Sequence, residues 1–153
     1  MSRHGAEISW TCEGDFAAGS YGRRHSWRFD GGAVVAASAS PAIVPPPLSD
    51  PAAVDPEEAL AAAAASCHML WFLSLAREAG LDVARYRDRA EAELGRTAPG
   101  RMAIVRIVLR PEIAFSGRRP DAAELERLHH AAHERCFIAN SLNCPIVIEP
   151  PAG

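Results

Sequence analysis

Lysine is absent. All sixteen basic side chains are arginine, a compositional bias that carries no function by itself. No basic run follows one helix face and the net charge is only −3, so the footprint of a nucleic-acid binder is missing. Met1–Trp10 holds no apolar run, and no secretory signal is expected. Repeats are lacking, and low complexity is confined to an alanine run. Cysteine is sparse, at four residues, and no Cys-x-x-Cys pair occurs. A structural disulfide framework is therefore not expected. In a cytoplasmic chain, the localisation expected here, such cysteines are packing residues, metal ligands or catalytic thiols.

What is present fits one α+β domain spanning residues 1–153, long enough to bury a core without staples. Three short strands are predicted in the first forty residues. Ile8, Trp10 and Cys12 alternate with polar neighbours; Gly14–Gly22 reads as loop; Arg23–Asp30 alternates and ends at the Gly31-Gly32 turn; Ala33–Ser40 follows. Parity places Trp27 and Phe29 on the buried side of the second strand, with Arg23 and His25 beside them and Arg24, Ser26 and Arg28 opposite. The six prolines of Pro41–Pro56 predict an extended connector.

A long helix is predicted from Pro56 to about Ala79. Asp55 is its N-cap, Glu57 and Glu58 face the positive end of the dipole, and Gly80 stops it. The stretch Ala59–Ala76 is apolar all round and nearly long enough to span a membrane. Its alanine content, with Ser66, His68 and Ser74, predicts instead a helix surrounded by protein. A hairpin turning at Ala98-Pro99-Gly100 comes next, its return strand carrying Val105, Ile107, Leu109, Ile113 and Phe115 on one face and Arg106 and Arg110 on the other. A second helix opens at Asp121 with Glu124 as its capping box, and Leu125, Leu128 and Ala132 form its inner stripe. At about 100° per residue, Cys136 falls within about 20° of Leu125 and points inward. Ile146–Ile148 closes the chain as a short strand.

Cys67 lies in the middle of the first helix. Buried without help, its thiol would be inert, so reactivity needs a cation or donor nearby. Arg23 and His25 are candidate suppliers, and Glu57 could hold an arginine by a charge-assisted pair. A different chemistry is open to His129, His133 and Cys136, which share a helix face at i, i+4 and i+7 in a pattern zinc accepts, with Cys67, His68 or Cys144 available as a fourth ligand.

The segment Asp55-Pro56-Glu57-Glu58, with Ala64-Ala65-Ser66-Cys67-His68 after it, resembles the motif of the OsmC/Ohr family of thiol-dependent hydroperoxide reductases. The second-helix ending, Ala132-His133-Glu134-Arg135-Cys136-Phe137-Ile138, is similar to that family's second-cysteine segment. The order β-β-β-α-β-β-α-β agrees over nearly the whole chain. The resemblance implies an OsmC-like fold, with antiparallel sheets wrapping a central helix in an intertwined homodimer. It also implies that Cys67 attacks a hydroperoxide and Cys136 resolves the product as a disulfide. Glu57 would hold the activating arginine, Arg23 or the adjacent Arg24, with His25 and His68 as secondary candidates. No metal or organic cofactor is implied, and a dithiol reductant, of lipoyl type by analogy, would recycle the disulfide. Trp71 and Phe72 read first as core residues; in this family they would favour organic hydroperoxides. Phe137 stands where the family often has proline, His68 follows Cys67, and Asp55 replaces asparagine, marking an atypical branch. Cys12 and Cys144 match no family role and read as structural. A non-catalytic module on the same fold, holding a lipid-like ligand, is the alternative.

Overall fold

The N-terminal strands come in five pieces rather than three. The computed structural model describes residues 1–149, and the chain divides into two compact units, Met1–Ala59 and Leu60–Gly153. In the first, β1 (Ala6–Ser9), β4 (His25–Phe29) and β5 (Val34–Ala37) form an antiparallel sheet in the order β1-β4-β5, with Ile8 opposite Trp27 and Ser26 opposite Ala36. The loop expected at 14–22 contains a small hairpin, β2 (Gly14–Asp15) and β3 (Ser20–Tyr21). Gly14 is required there: at φ +106° a Cβ would stand 2.2 Å from the Ser20 carbonyl oxygen. Trp10 leaves the first strand to donate its indole N–H to the Gly22 carbonyl (2.9 Å) and to pack on Tyr21 and Phe16. Parity along β4 holds for Arg23, His25 and Trp27, which are half-buried, but Phe29 is exposed.

The proline-rich segment is a chain of turns, not an extended connector. Backbone bonds close Ser40–Val44, Pro45–Leu48 and Asp50–Ala53, because the fixed φ of proline suits turn positions as well as extended ones. Ser38 fastens the segment by accepting the Asp50 N–H (3.0 Å), and Val54 bridges to Ala37.

α1 (Pro56–Glu78) begins in this unit and continues through the next. Its first turn is a reciprocal capping box: Asp55 Oδ1 accepts the Glu58 N–H (2.8 Å) and Glu58 Oε2 accepts the Asp55 N–H (3.1 Å). It ends in a Schellman motif, with Leu81 N–H on the Ala76 carbonyl, Gly80 N–H on the Arg77 carbonyl, and Gly80 at φ +70°. Protein covers one stripe of it, Ala61, Ala64, His68, Phe72 and Ala76. The expectation of a helix enclosed on every side fails within one chain, since Ala62, Ala63 and Ser66 are exposed and Leu70 is 62% exposed.

In the second unit the expected hairpin is split. β7 (Glu91–Ala98) and β8 (Arg101–Leu109) pair antiparallel around Pro99-Gly100, and β10 (Ile146–Ile148) joins β8 in parallel. β6 (Val83–Asp88), which its weak alternation concealed, pairs with β9 (Pro111–Phe115). The break falls where the Asp88 carboxylate takes the Arg110 N–H (2.7 Å). A bulge sets Leu94 opposite Ile104 after Glu93 opposite Arg106, leaving Val105 as the extra residue. That reverses the predicted parity: Ile104 packs inward near Ile107 and Leu109, while Val105 is exposed.

α2 (Ala122–Arg135) is capped by Asp121, whose side chain accepts the Glu124 N–H (2.7 Å). The Glu124 carboxylate does not return the bond; it pairs with Arg118 instead. Two clusters form the core of this unit. Phe72, Ala76, Leu81 and Ala132 make one, and Ala64, Ile107 and Leu109 the other, with Ile146, Ile148 and Cys144 against it.

Candidate active site

Cys67 and Cys136 meet. The first is half-buried in mid α1; the second is 1% exposed just beyond α2. α2 ends one residue before the predicted inward position, so Cys136 is its C-cap, in extended backbone at φ −69° and ψ 112°. The inward orientation survives because the cap N–H still reaches the His133 carbonyl (3.1 Å) and a short turn, Ala139–Ser141, folds back over the residue. Ala139 N–H points at the Cys136 sulfur (3.4 Å) and Asn140 N–H bonds its carbonyl (3.0 Å).

Burial pushes the Cys136 thiol above its ordinary value. The Ala139 N–H opposes that shift, and the neighbouring Cys67 adds to it. Cys136 is thus a buried thiol held toward its protonated form beside Cys67. All four cysteines are free. Cys12 is exposed, with its thiol toward the Gly14 carbonyl (3.7 Å).

Around the pair, Trp71 stands one helical turn after Cys67, and Phe137 meets its ring edge-on at 5.6 Å. The Arg135 guanidinium lies 5.8 Å over the Trp71 ring. Residues on both sides of Cys136 therefore reach the residue that follows Cys67 on its own helix face. Arg135 gave no signal beyond its adjacency to Cys136.

His68 points away from the sulfurs into the buried stripe and is 1% exposed. Its Nε2 lies 3.0 Å from His129 Nδ1, and the two rings are nearly parallel, at 10°, with centroids 5.3 Å apart, the edge-to-edge arrangement of an in-plane bond. Phe72 packs on His129 at 4.6 Å. Burial, then His129 and His133, lowers His68 to about 4; burial lowers His129 to about 4. Both rings are neutral, as one N–H···N bond between them requires. Their partnership was readable only as two inward positions, since His68 lies on the Ala64–Phe72 stripe and His129 between Leu125 and Ala132. The metal set does not assemble: among the described residues no three His, Cys, Asp or Glu side chains converge on one point.

The other candidates lie in the first unit. The Arg23 guanidinium stacks 3.5 Å over the Tyr21 ring and donates to the Tyr21 carbonyl. Arg24 is exposed and pairs with Asp50 at 3.4 Å. His25 Nε2 accepts the Trp27 indole N–H (2.9 Å), so its Nδ1 carries the proton and donates to the Arg23 carbonyl (2.8 Å). Glu57, half-buried in the first turn of α1, forms no ion pair with Arg23 among the described residues. Elsewhere in the second unit, an open cleft of about 960 Å³ is lined by Ile113, Phe115, Leu125, His129, Ile146 and Ile148.

Residues 49–150 match the OsmC-like protein family, and the chain belongs to that family. It is 47% identical to an OsmC-like protein of unknown function from Vibrio cholerae O1 biovar eltor, with a TM-score of 0.94 over 98% of this chain and 99% of that one. The fold recurs in an organic hydroperoxide resistance protein from Legionella pneumophila (18% identity, TM-score 0.68, 98% and 96% covered). Another from Elizabethkingia anophelis shares it as well (17%, 0.70, 98% and 94%). No curated protein matches.

Proposed function

We propose that this chain is a two-cysteine, thiol-dependent peroxidase acting on organic hydroperoxides. The contact between Cys67 and Cys136 carries the reading. In the first step the Cys67 thiolate attacks the terminal peroxide oxygen. The O–O bond breaks, the sulfur gains that oxygen as a sulfenic acid, and the alkoxide leaves as the alcohol after taking a proton. In the second step Cys136 attacks the Cys67 sulfur; the S–O bond breaks, water leaves and a disulfide forms, the reversible branch of cysteine oxidation. An external dithiol, of lipoyl type by family analogy, then restores both thiols by exchange.

Cys136 suits the second role because it holds its proton at rest and sits beyond the end of the α2 ladder. Trp71 and Phe137 offer apolar surface for an organic substituent. Arg23 is the activating cation and Glu57 its holder, assembled in an intertwined homodimer. The apolar side of α1 left open by its own chain, Leu70 above all, supports that assembly. Free thiols of this kind work in a reducing cytoplasm.

A second reading is favoured by the apolar cleft bordered by His129: a module on the same fold that holds an apolar ligand without chemistry. One experiment separates the two. Reduced protein is treated with a stoichiometric organic hydroperoxide, and its cysteines are mapped by non-reducing mass spectrometry. A Cys67–Cys136 disulfide with Cys12 and Cys144 free supports the peroxidase; four unreacted thiols support the binding module. Full peroxide consumption by Cys67→Ser would overturn the mechanism.

A further inference from the structure

The buried stripe of α1 runs Ala61, Ala64, His68, Phe72, Ala76. Four of these pack as hydrophobes must. The imidazole at the centre is an anomaly, since a leucine there would bury more apolar surface at no polar cost. His68 is also left with Nδ1 buried and without a partner among the described residues, a penalty the fold accepts. What the imidazole gains is one directional contact, Nε2 to His129 Nδ1 at 3.0 Å between nearly parallel rings, joining α1 to α2. Apolar contacts are non-directional and resist sliding of two packed helices less than an in-plane hydrogen bond between two ring edges does.

The position of this bond matters. His68 adjoins Cys67 in sequence, and His129 sits two turns before Cys136 on the helix that ends at it. The slide of α2 along α1 is therefore the coordinate that sets how Cys136 approaches Cys67. Building on the two-thiol reading, we infer that His68 and His129 are positioning residues: their hydrogen bond sets the register of α2 on α1 and thereby the effective concentration of the Cys136 thiol at the Cys67 sulfur. Neither ring touches the reacting atoms. Errors of about 1 Å in such placements cost on the order of a hundredfold.

The test needs no peroxide. Full-length protein is equilibrated in glutathione buffers, where oxidised glutathione takes the two sulfur hydrogens and leaves as two reduced molecules. The fraction of Cys67–Cys136 disulfide, read by mass spectrometry, gives the effective concentration. His129→Phe keeps an aromatic ring and removes the bond; His129→Asn keeps a polar atom near the Nδ1 position. A fall of ten- to a hundredfold in His129→Phe, largely recovered in His129→Asn, is expected. Equal values for His129→Phe and wild type overturn the inference, as does an equal fall in both variants, which would mark a packing role. Should His129→Phe not fold, the wild type still answers: nitrogen-15 NMR of the reduced protein is expected to show scalar coupling between His68 Nε2 and His129 Nδ1, and its absence overturns the inference. A wild type in which glutathione never joins Cys67 to Cys136 overturns the two-thiol reading as well.

Discussion

Cys136 ends α2 beside Cys67, and burial, with the neighbouring Cys67 adding to it, holds the Cys136 thiol toward its protonated form. Removing that thiol should stop the cycle after its first step. In Cys136→Ser, hydroperoxide is expected to convert Cys67 to a sulfenic acid at a rate within a few-fold of wild type. The product should persist, be trapped by dimedone, and pass to the sulfinic acid under excess peroxide. Mass spectrometry of the Cys67 peptide reads each state. An unmodified Cys67 in this variant would remove it from the attacking role.

The arginine assignment separates two neighbours. Loss of a cation beside a thiolate shifts its pKa by about one to two units, or about ten- to a hundredfold in reactive fraction at neutral pH. Arg23→Ala and Glu57→Gln are expected to slow the first step by that factor with thermal unfolding little changed. Arg24→Ala, whose guanidinium is exposed and engaged with Asp50, should leave the rate near wild type. Stopped-flow measurement of first-turnover kinetics decides, and the reverse order of the two arginines would move the role to Arg24.

The neutral imidazole pair predicts acid lability. His68 and His129 are each lowered from the ordinary 6.5 to about 4, so between these values the unfolded chain binds more protons than the folded one. Stability contributed by the pair is full above about 6.5 and is lost as the pH falls toward about 4. Urea midpoints should drop across that window in wild type, and the steepness should be reduced in the double variant His68→Gln/His129→Asn. His133, which also bears on His68, is kept in both proteins.

Gly95 is a packing requirement rather than a turn. A Cβ at this position would lie 3.0 Å from both Val105 methyl carbons, on the bulge of β8. Gly95→Ala should cost about 1–3 kcal/mol, and adding Val105→Ala should recover much of it, a coupling expected of residues in contact. Thermal denaturation of the two single variants and the double checks this.

The sequence carried the helices well. Asp55, Gly80 and Asp121 act locally, through caps and a left-handed turn, and each sits where those rules put it. The hairpin's existence was legible from its alternation, but its bulge was not. The extra residue at Val105 reverses parity through ladder geometry that no short window contains. β6 was missed because Arg85 and Arg87 interrupt its apolar residues, and its pairing with β9 is long-range. The mid-helix place of Cys67 and the inward turn of Cys136 were legible from their settings on two helices. The His68–His129 hydrogen bond was not: the two were linked only as members of a zinc set with His133 and Cys136, which does not assemble among the described residues, and the packing of α1 on α2 makes them a direct pair instead.

The end of α2 at Arg135 sets the mechanical cost of redox cycling. Cys136 has already left the helical backbone, so its sulfur can swing toward Cys67 by torsions of the cap and of its own side chain while the α2 ladder stays whole. The bonds directly at stake are those of the cap, from Cys136 N–H to His133 and from Asn140 N–H to Cys136, and the weak Ala139 N–H contact to sulfur. Each turnover then bends a hinge a few residues long and leaves the helices as rigid jaws, so amide exchange within α2 should be the same in the dithiol and disulfide forms, with differences confined to the turn after it.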